Sequence, residues 1–371
     1  MPRVKARLAL ALVATTVACA APAPTRADPC DSLAKLDRLN TTVTSARVVP
    51  AGTFRTPTPQ RASTEIFNGY DKLPTFCRVQ ATIAPSNDSH IRVEVWLPIA
   101  GWNGKYLGVG NGGYAGSIAY PRLGEAVNTG YASASTDTGH EGKSTDAGWS
   151  RGHPEQQTDF DYRAIHEMTL MAKAAVESFY GKPPTRSYFA SCSNGGRQGL
   201  MEAERYPADY DGVMSGAPAF HWGFETFLRG NLDAFAARGG KLVIYHGSND
   251  APGSTIDYYD RLVARMGRNN VDNFARLYIV PGMGHCGSGD VPNDFGQWLR
   301  PNADPQHSML IALERWVEAG AAPERIIATQ WRVDGDAASG IVRTRPLCPY
   351  PKAARYTGSG NRDSAASYDC R

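Results

Sequence analysis

The segment around Ser193 constrains the fold of this chain more than any other part of the sequence. A short apolar strand that ends at Ala190 is followed by a turn of small residues, and a helix is predicted over Asn194 to Tyr206. A serine at such a strand–turn–helix junction lies on a strained turn that projects its hydroxyl above a sheet. The segment therefore predicts a nucleophile elbow at Ser193, although Ser191 stands where the usual G-x-S-x-G motif has its first glycine.

Short apolar segments alternate with helical segments along much of the chain. Strands are predicted at Ile91 to Pro98, Lys105 to Val109, Ser187 to Ala190, Gly212 to Ser215, Leu242 to Tyr245 and Ala275 to Val280, and helices at Phe160 to Tyr180, Asn194 to Tyr206 and Pro305 to Gly320. Residues 28–85 are rich in Pro, Thr and Ser and are predicted to be irregular. The alternation favours an α/β fold with a mostly parallel central sheet and helices on both faces.

Two further residues complete a possible catalytic set with Ser193. Asp250 and His285 each follow a buried strand, in LVIYHGSNDAPGS and LYIVPGMGHCGSG. Groups at the carboxyl ends of parallel strands converge on one edge of a sheet. The order Ser, Asp, His is that of α/β-hydrolases. His246 is the nearest alternative base, and its place directly after a strand favours a buried structural role.

The cysteines connect this set to the redox environment of the chain. An even number in an exported chain predicts disulfides, and six cysteines remain if the N-terminal segment is removed: Cys30, Cys77, Cys192, Cys286, Cys348 and Cys370. Fifteen pairings are open. Cys192 precedes the predicted nucleophile and Cys286 follows the predicted base, so a bond between them would tie the two loops together. No C-x-x-C pair is present, and no metal is expected.

The N-terminus has the pattern of a secretory signal, predicted over residues 1–27. Basic residues precede an apolar run from Leu8 to Ala18, and small residues follow it. Cys19 leaves lipid attachment as a second alternative. The run is too short for a permanent membrane anchor. We expect a secreted or periplasmic protein with no membrane span.

The charge of the chain argues against a nucleic-acid partner. The formal net charge is +3, and no long run of Lys or Arg is present. The glycine loop GVGNGG, from Gly108 to Gly113, also fits the dinucleotide motif G-x-G-x-x-G. That motif is weak by itself, and export and disulfides argue against a dinucleotide enzyme.

Several stretches resemble the tannase/feruloyl esterase family of α/β-hydrolases, which also includes mono(2-hydroxyethyl) terephthalate hydrolases. They are GNGGYAG, DFDYRAIHEMTLMAKA, CSNGGRQGLMEAERYPADYDGVMSGAPAF, LDAFAARGGKLVIYHGSND and PGMGHC. The resemblance implies the triad Ser193, Asp250 and His285. It also implies the disulfides Cys192–Cys286, Cys30–Cys77 and Cys348–Cys370.

The sequence departs from the family between the nucleophile and the aspartate. Family members usually carry a large lid domain there, with a structural calcium site. Here Asp250 lies only 57 positions after Ser193, and the chain passes almost directly from the strand before the lid to the helix before the aspartate. We therefore predict a single catalytic domain over residues 28–371, with a lid remnant at about residues 220–231. We also predict no bound calcium and no cofactor.

The expected chemistry is ester hydrolysis through an acyl-enzyme. His285 would take the proton of Ser193, and Asp250 would orient His285. The oxyanion donors are predicted to be the backbone N–H of Asn194 and that of Gly112 or Gly113.

The acyl pocket is predicted to be aromatic, with Tyr114, Phe220 and Trp222 as candidates. We expect a monomer acting on aromatic esters of feruloyl, galloyl or terephthaloyl type. An aromatic polyester substrate and a non-catalytic binding protein on the same scaffold are the alternatives.

Overall fold

The three predicted catalytic residues lie in loops that follow strands of the central sheet. The protein is described by a computed structural model over residues 2, 29–57, 67, 69–224, 227–299 and 304–371. Within these residues one sheet has nine strands, in the order β1-β2-β3-β5-β4-β6-β7-β8-β9. They are β1 Thr41–Val49, β2 Phe76–Ile83, β3 Ile91–Pro98, β4 Lys105–Gly108, β5 Ala132–Thr136, β6 Arg186–Cys192, β7 Gly212–Gly216, β8 Lys241–Gly247 and β9 Ala275–Val280.

The sheet is parallel from β5 to β9 and antiparallel from β1 to the β3–β5 pair. The mostly parallel sheet predicted from the sequence is thus confirmed. The predicted signal segment, including Cys19, lies outside the described residues apart from Pro2. No helix in the described part of the chain is long and apolar enough to cross a membrane.

The prediction that residues 28–85 are irregular was wrong for two segments. Thr41–Val49 and Phe76–Ile83 form an antiparallel pair, β1 and β2. Both segments contain β-branched residues that favour strands. The Pro, Thr and Ser residues around them led to the prediction that the whole region is irregular. The disulfide between Cys30 and Cys77 joins the first described segment to β2.

Helices cover both faces of the sheet. The α-helices are α1 Pro29–Ser32, α2 Tyr120–Asn128, α3 Pro154–Thr158, α4 Ala164–Tyr180, α5 Asn194–Arg205, α6 Asp233–Ala237, α7 Gly253–Met266, α8 Arg268–Asp272 and α9 Met309–Ala319. Apolar residues of α4, α5 and α7 belong to one buried cluster, and those of α2 and α9 belong to another. The predicted helix at 160–180 begins with a π-helical turn, Asp159–Arg163.

Strand β8 shows why the central strands are apolar along their whole length. Leu242 and Ile244 lie in the first cluster, and Val243 and Tyr245 lie in the second. Alternate side chains therefore pack against opposite helical layers, as expected for a parallel strand buried on both faces.

The C-terminal part of the chain adds two small antiparallel pairs that the sequence pattern did not predict. Strands β10 Ile326–Val333 and β11 Asp336–Leu347 form one pair. Strands β12 Ala354–Tyr356 and β13 Tyr368–Cys370 form the other. The disulfide between Cys348 and Cys370 joins the two pairs.

A buried polar cluster lies between α4 and α5. His166 Nδ1 contacts Asp209 Oδ2 at 2.6 Å, and the ammonium of Lys173 donates to the backbone oxygen of Asp209. Glu202 is 1% exposed, and neither of its carboxylate oxygens has a hydrogen-bond partner among the described residues. Burial raises the pKa of Glu202 well above its usual range, and the neighbouring Asp209 raises it further. A protonated Glu202 can donate to Asp209, which satisfies both carboxyl groups without a metal ion.

The raised pKa of Glu202 predicts that this cluster loses stability as pH rises. The folded state retains a proton that the unfolded chain releases above a pKa of about 4.5, so the free energy of unfolding falls above that pH. Glu202→Gln keeps the shape and an N–H donor without the charge. We expect it to stabilise the protein at pH 8 by about 1–3 kcal/mol, the usual cost of an unsatisfied buried polar group, with little difference near pH 4.5. Urea unfolding at both pH values measures this.

Glu204→Gln is the matched control on the same helix. Its carboxylate accepts hydrogen bonds from the backbone N–H groups of Arg229 and Gly230 and from the Tyr258 hydroxyl. Loss of that charge should destabilise the protein at pH 8. Equal stability of Glu202→Gln and the wild-type protein at both pH values would contradict the assignment.

Candidate active site

Ser193 lies on a sharp turn between β6 and α5. Strand β6 ends at Cys192 and α5 begins at Asn194. The serine has φ 64° and ψ −125°, a conformation that non-glycine residues rarely adopt. Its backbone N–H donates to the oxygen of Gly216 on β7 at 2.9 Å. The hydroxyl is therefore carried on a strained backbone at the carboxyl edge of the sheet, as a nucleophile elbow requires.

Close packing behind the turn explains how Ser191 replaces the usual glycine. A Cβ at Gly195 would overlap the Ser191 hydroxyl, and a Cβ at Gly110 would lie 2.9 Å from the Cα of Gly195. The space that Ser191 occupies is available because Gly195 has no side chain. The glycine loop after β4 is thereby packed directly against the turn.

His285 and Asp250 are brought together by the loops that follow β9 and β8. His285 Nδ1 donates to Asp250 Oδ2 at 2.6 Å. The His285 side chain is 52% exposed and that of Asp250 is 23% exposed. Within the described residues the Ser193 hydroxyl is not hydrogen-bonded to His285. Hydrogen bonds of this type are often long before substrate binds.

The disulfide between Cys192 and Cys286 connects the serine turn to the histidine loop. Its Cα atoms are 5.9 Å apart. Because Ser193 and His285 are each the immediate chain neighbour of one of these cysteines, the bond limits how far the two loops can separate. The structure thus contains the three disulfides that the family resemblance implied.

Backbone N–H groups at and around the predicted oxyanion positions differ in whether they are already hydrogen-bonded. In the glycine loop, the N–H of Asn111 donates to Gln198 Oε1 and that of Tyr114 donates to the oxygen of Ser144. The N–H groups of Gly112, Gly113 and Asn194 donate no hydrogen bond to the described residues. The loop lies against the serine turn and does not directly open a helix, which disfavours the dinucleotide alternative.

An aromatic surface borders the glycine loop. The rings of Tyr114 and Trp222 are 4.5 Å apart, and Phe224 is 6.2 Å from Tyr114. Trp222 is 38% exposed. Phe220, the third predicted pocket residue, instead packs against Tyr258, with 5.3 Å between ring centroids. Two of the three predicted aromatic residues are therefore adjacent, and Phe224 is an addition that the sequence did not indicate.

His140 supports the glycine loop from behind. Its Nε2 lies 2.7 Å from the backbone oxygen of Tyr114, and its ring stacks on Trp149 at 3.7 Å. Burial lowers the pKa of His140 to about 4, so the ring is neutral at ordinary pH and donates this single N–H. A neutral donor can hold the Tyr114 carbonyl without placing a charge beside the aromatic surface.

His246, treated above as an alternative base, also reaches Asp250. Its Nε2 lies 3.1 Å from Asp250 Oδ2, the same oxygen that accepts from His285.

Possible metal ligands form one group among the described residues, and it lies away from this site. The group consists of His166, Glu202 and Asp209, whose ligand atoms lie within 4.8 Å of one another.

Comparisons with known proteins agree with this arrangement. A family model described as tannase and feruloyl esterase matches residues 77–232 and 228–371. An uncharacterized esterase of Xanthomonas campestris pv. campestris is 29% identical over an alignment that is 531 residues long. The alignment covers 92% of this chain and 91% of the esterase. A protein of Aspergillus fumigatus named "Probable feruloyl esterase B-1" is 26% identical over 80% of this chain and 85% of its own.

Solved structures show the same fold. The crystal structure of feruloyl esterase B from Aspergillus oryzae has a TM-score of 0.81 at 22% identity, and the match covers 92% of this chain and 99% of that one. A tannin acyl hydrolase from Aspergillus niger has a TM-score of 0.70 at 17% identity, over 93% and 95% of the two chains.

The packing of Ser191 against Gly195 predicts a compensating pair of substitutions. Gly195→Ala places a methyl group where the Ser191 hydroxyl lies, which should displace the turn and reduce ester hydrolysis by about tenfold or more, since small misplacements of reacting groups are costly. Adding Ser191→Gly removes the overlapping hydroxyl and should restore most of the activity. Turnover of an aryl ester by folded protein measures both effects. If the double variant is no more active than Gly195→Ala, the explanation is wrong.

The position of the Cys192–Cys286 bond predicts a loss of turnover larger than the loss of structure. We expect Cys192→Ser with Cys286→Ser to lower kcat by about 10- to 100-fold, because the serine turn and the histidine loop can then separate. The measurement is kcat well below the unfolding transition, with the folded fraction determined by circular dichroism. Cys348→Ser with Cys370→Ser is the control; it should lower stability and leave kcat unchanged. Unchanged kcat in the first variant would contradict the prediction.

Proposed function

This chain belongs to the tannase and feruloyl esterase family and is a carboxylic ester hydrolase, and we propose that it cleaves aromatic esters through a triad of Ser193, His285 and Asp250. The observation that carries the proposal is the 2.6 Å bond between His285 and Asp250, on a loop that a disulfide joins to the strained turn of Ser193.

In the proposed mechanism His285 accepts the proton of Ser193 as the hydroxyl attacks the ester carbonyl carbon. The negative charge of Asp250 stabilises the imidazolium and keeps the proton-accepting nitrogen, Nε2, directed at the serine. His285 then gives the proton to the leaving alcohol, and an acyl-enzyme remains. Water attacks the acyl group, with His285 again acting as base, and releases the acid and Ser193.

The oxyanion of each tetrahedral intermediate is proposed to accept hydrogen bonds from Asn194 and from Gly112 or Gly113. Their N–H groups have no other acceptor among the described residues. Donors that are already oriented need no rearrangement as the charge develops, and removal of one such donor from a serine protease of another fold costs about 2.7–4 kcal/mol. The amino end of α5 adds a favourable potential for the same charge.

The adjacent rings of Tyr114 and Trp222 support an aromatic acyl group. An aromatic acid can stack on such rings in offset or tilted geometry. The relatives named feruloyl esterase B point to the same substrate class. We propose that the acyl ring lies on this surface while its carbonyl reaches the glycine loop.

We propose a reduced lid, with its remnant at about residues 220–231, of which 225 and 226 lie outside the described residues. The alignment to the Xanthomonas esterase is 531 residues long, more than the 371 residues of this chain. The two segments matched by the family model meet at residues 228–232. A site without a lid buries less of a small ligand, which weakens binding, and it admits bulky esters.

An open aromatic surface favours an aromatic polyester as the second candidate substrate. The observation that favours it is the exposure of Trp222 beside Tyr114.

We further propose that the protein is exported, which is consistent with its disulfides. We also propose that it acts as a monomer without a cofactor.

Labelling with a fluorophosphonate tests the triad, because only an activated serine reacts. We expect stoichiometric labelling of the wild-type protein and none of Ser193→Ala, together with loss of aryl-ester hydrolysis in that variant. Retained hydrolysis in Ser193→Ala would refute the assignment. An unlabelled but folded wild-type protein would favour the non-catalytic alternative.

A substrate panel tests the proposed substrate class and the open site. Feruloyl, galloyl and terephthaloyl esters should be hydrolysed with higher kcat/KM than aliphatic esters of the same alcohol, and with high KM. Trp222→Ala should reduce the preference for aromatic esters and leave hydrolysis of a short aliphatic ester unchanged. A low KM for a small feruloyl ester would contradict the open site, and release of aromatic acid from a polyester film would support the second candidate.

A further inference from the structure

His246 lies behind the aspartate of the proposed triad and is not explained by the mechanism above. It is the penultimate residue of β8 and is 6% exposed. Its Nε2 lies 3.0 Å from the backbone oxygen of Asp250 and 3.1 Å from Asp250 Oδ2. Its Nδ1 lies 2.7 Å from Thr255 Oγ1 on α7, a residue that is fully buried.

These contacts determine where the proton of the His246 ring lies. The carbonyl and the carboxylate of Asp250 can only accept hydrogen bonds, so Nε2 must carry a proton. Burial lowers the pKa of His246, the contacts with Asp250 oppose that change, and His285 lowers the pKa further. A neutral ring with its proton on Nε2 has Nδ1 free to accept the hydroxyl proton of Thr255. The Thr255 hydroxyl thereby supports the tautomer that Asp250 requires, by donating to Nδ1.

The same geometry shows what His246 can do for the reaction. His246 Nε2 donates to the backbone oxygen of Asp250 and lies 3.1 Å from Asp250 Oδ2, the oxygen that accepts from His285. The loop that carries Asp250 is strained, because Ala251, the next residue, has φ 49°. The His285 side chain is half exposed. Among the described residues, its ring makes a single hydrogen bond, to Asp250 Oδ2. The orientation of His285 therefore depends on Asp250, and the orientation of Asp250 depends on His246.

We propose that His246 is a positioning residue for ester hydrolysis, in which one ring N–H fixes both the backbone and the carboxylate of Asp250 so that the carboxylate faces His285. The inference rests on the proposed triad and extends it to a chain of hydrogen bonds from Thr255 through His246 and Asp250 to His285. His246 itself neither touches substrate nor exchanges a proton during the reaction.

The titratable groups that face His246 within the described residues are Asp250 and His285, and both belong to the proposed triad. Without the His246 N–H, Asp250 Oδ2 loses a polar hydrogen on the nitrogen that lies 3.1 Å away. Its charge is then less neutralised and attracts a proton on His285 more strongly. The acid limb of the kcat/KM profile should therefore move to higher pH, an effect that a purely structural role would not produce.

The test compares His246→Phe with His246→Gln. Phenylalanine keeps a ring but has no N–H, and we expect kcat to fall by about tenfold or more with KM unchanged, since the hydrogen bond that holds Asp250 in place is lost and small misplacements of reacting groups are costly. The acid limb should move as described. Glutamine retains an N–H donor and should recover most of kcat and the wild-type profile. Active sites are counted by fluorophosphonate, so that misfolded protein does not enter kcat.

His166→Phe is the matched control, because it removes a histidine bonded to the buried Asp209 at 2.6 Å outside the proposed site. It should lower stability without changing kcat or the pH profile. If His246→Phe does not fold, Thr255→Val carries the test: it removes the hydroxyl that donates to Nδ1 and holds the His246 ring, and it should lower kcat and shift the acid limb in the same direction.

The outcomes separate the inference from the proposed function. A wild-type kcat and pH profile in folded His246→Phe, or in Thr255→Val where that variant carries the test, would overturn the role of His246, while inactive Ser193→Ala would still support the triad. Activity retained in Ser193→Ala would refute the triad itself.

Discussion

Burial of the central parallel strands between two helical layers is the constraint on which the rest of this structure depends. Strands such as β8 carry apolar side chains on both faces, and the three residues of the proposed triad lie in the loops where strands end. Because the strands from β5 to β9 run in parallel, these loops lie along one edge of the sheet. Ser193, Asp250 and His285 follow three different strands and come together for this reason.

The same edge concentrates backbone strain and close packing. Ser193 and Ala251 both have positive φ, which is costly for residues with a side chain and persists only where surrounding contacts enforce it. For Ser193 these contacts are the glycine loop and β7, and for Ala251 they include the bonds of His246 to Asp250. The Cys192–Cys286 bond then joins the two loops that carry the proposed nucleophile and base. A half-exposed site is in this way supported by buried neighbours.

Local sequence patterns predicted much of the parallel sheet but missed strands whose residues lack a strong pattern. Strand β5, Ala132–Thr136, consists of small residues and is a strand because β3 and β4 pair with it on either side. Strand β1 is half exposed and pairs with β2, which begins only at Phe76. Neither pairing leaves a signal in a short window, since the stabilising contacts come from distant residues. The aromatic surface shows the same limit, because Phe220 and Trp222 are close in sequence yet pack against different partners.

The sequence by itself determined the strand–turn–helix at Ser193, the order of the three proposed catalytic residues and the cysteines beside two of them, because each depends on neighbouring residues or on chain order. The tertiary structure decided which side chains meet. It directed Phe220 to Tyr258, left the N–H groups of Gly112 and Gly113 unbonded among the described residues, and placed His246 against Asp250. Those outcomes depend on distances between loops that are set by the packing of the whole sheet, and no local pattern records such distances.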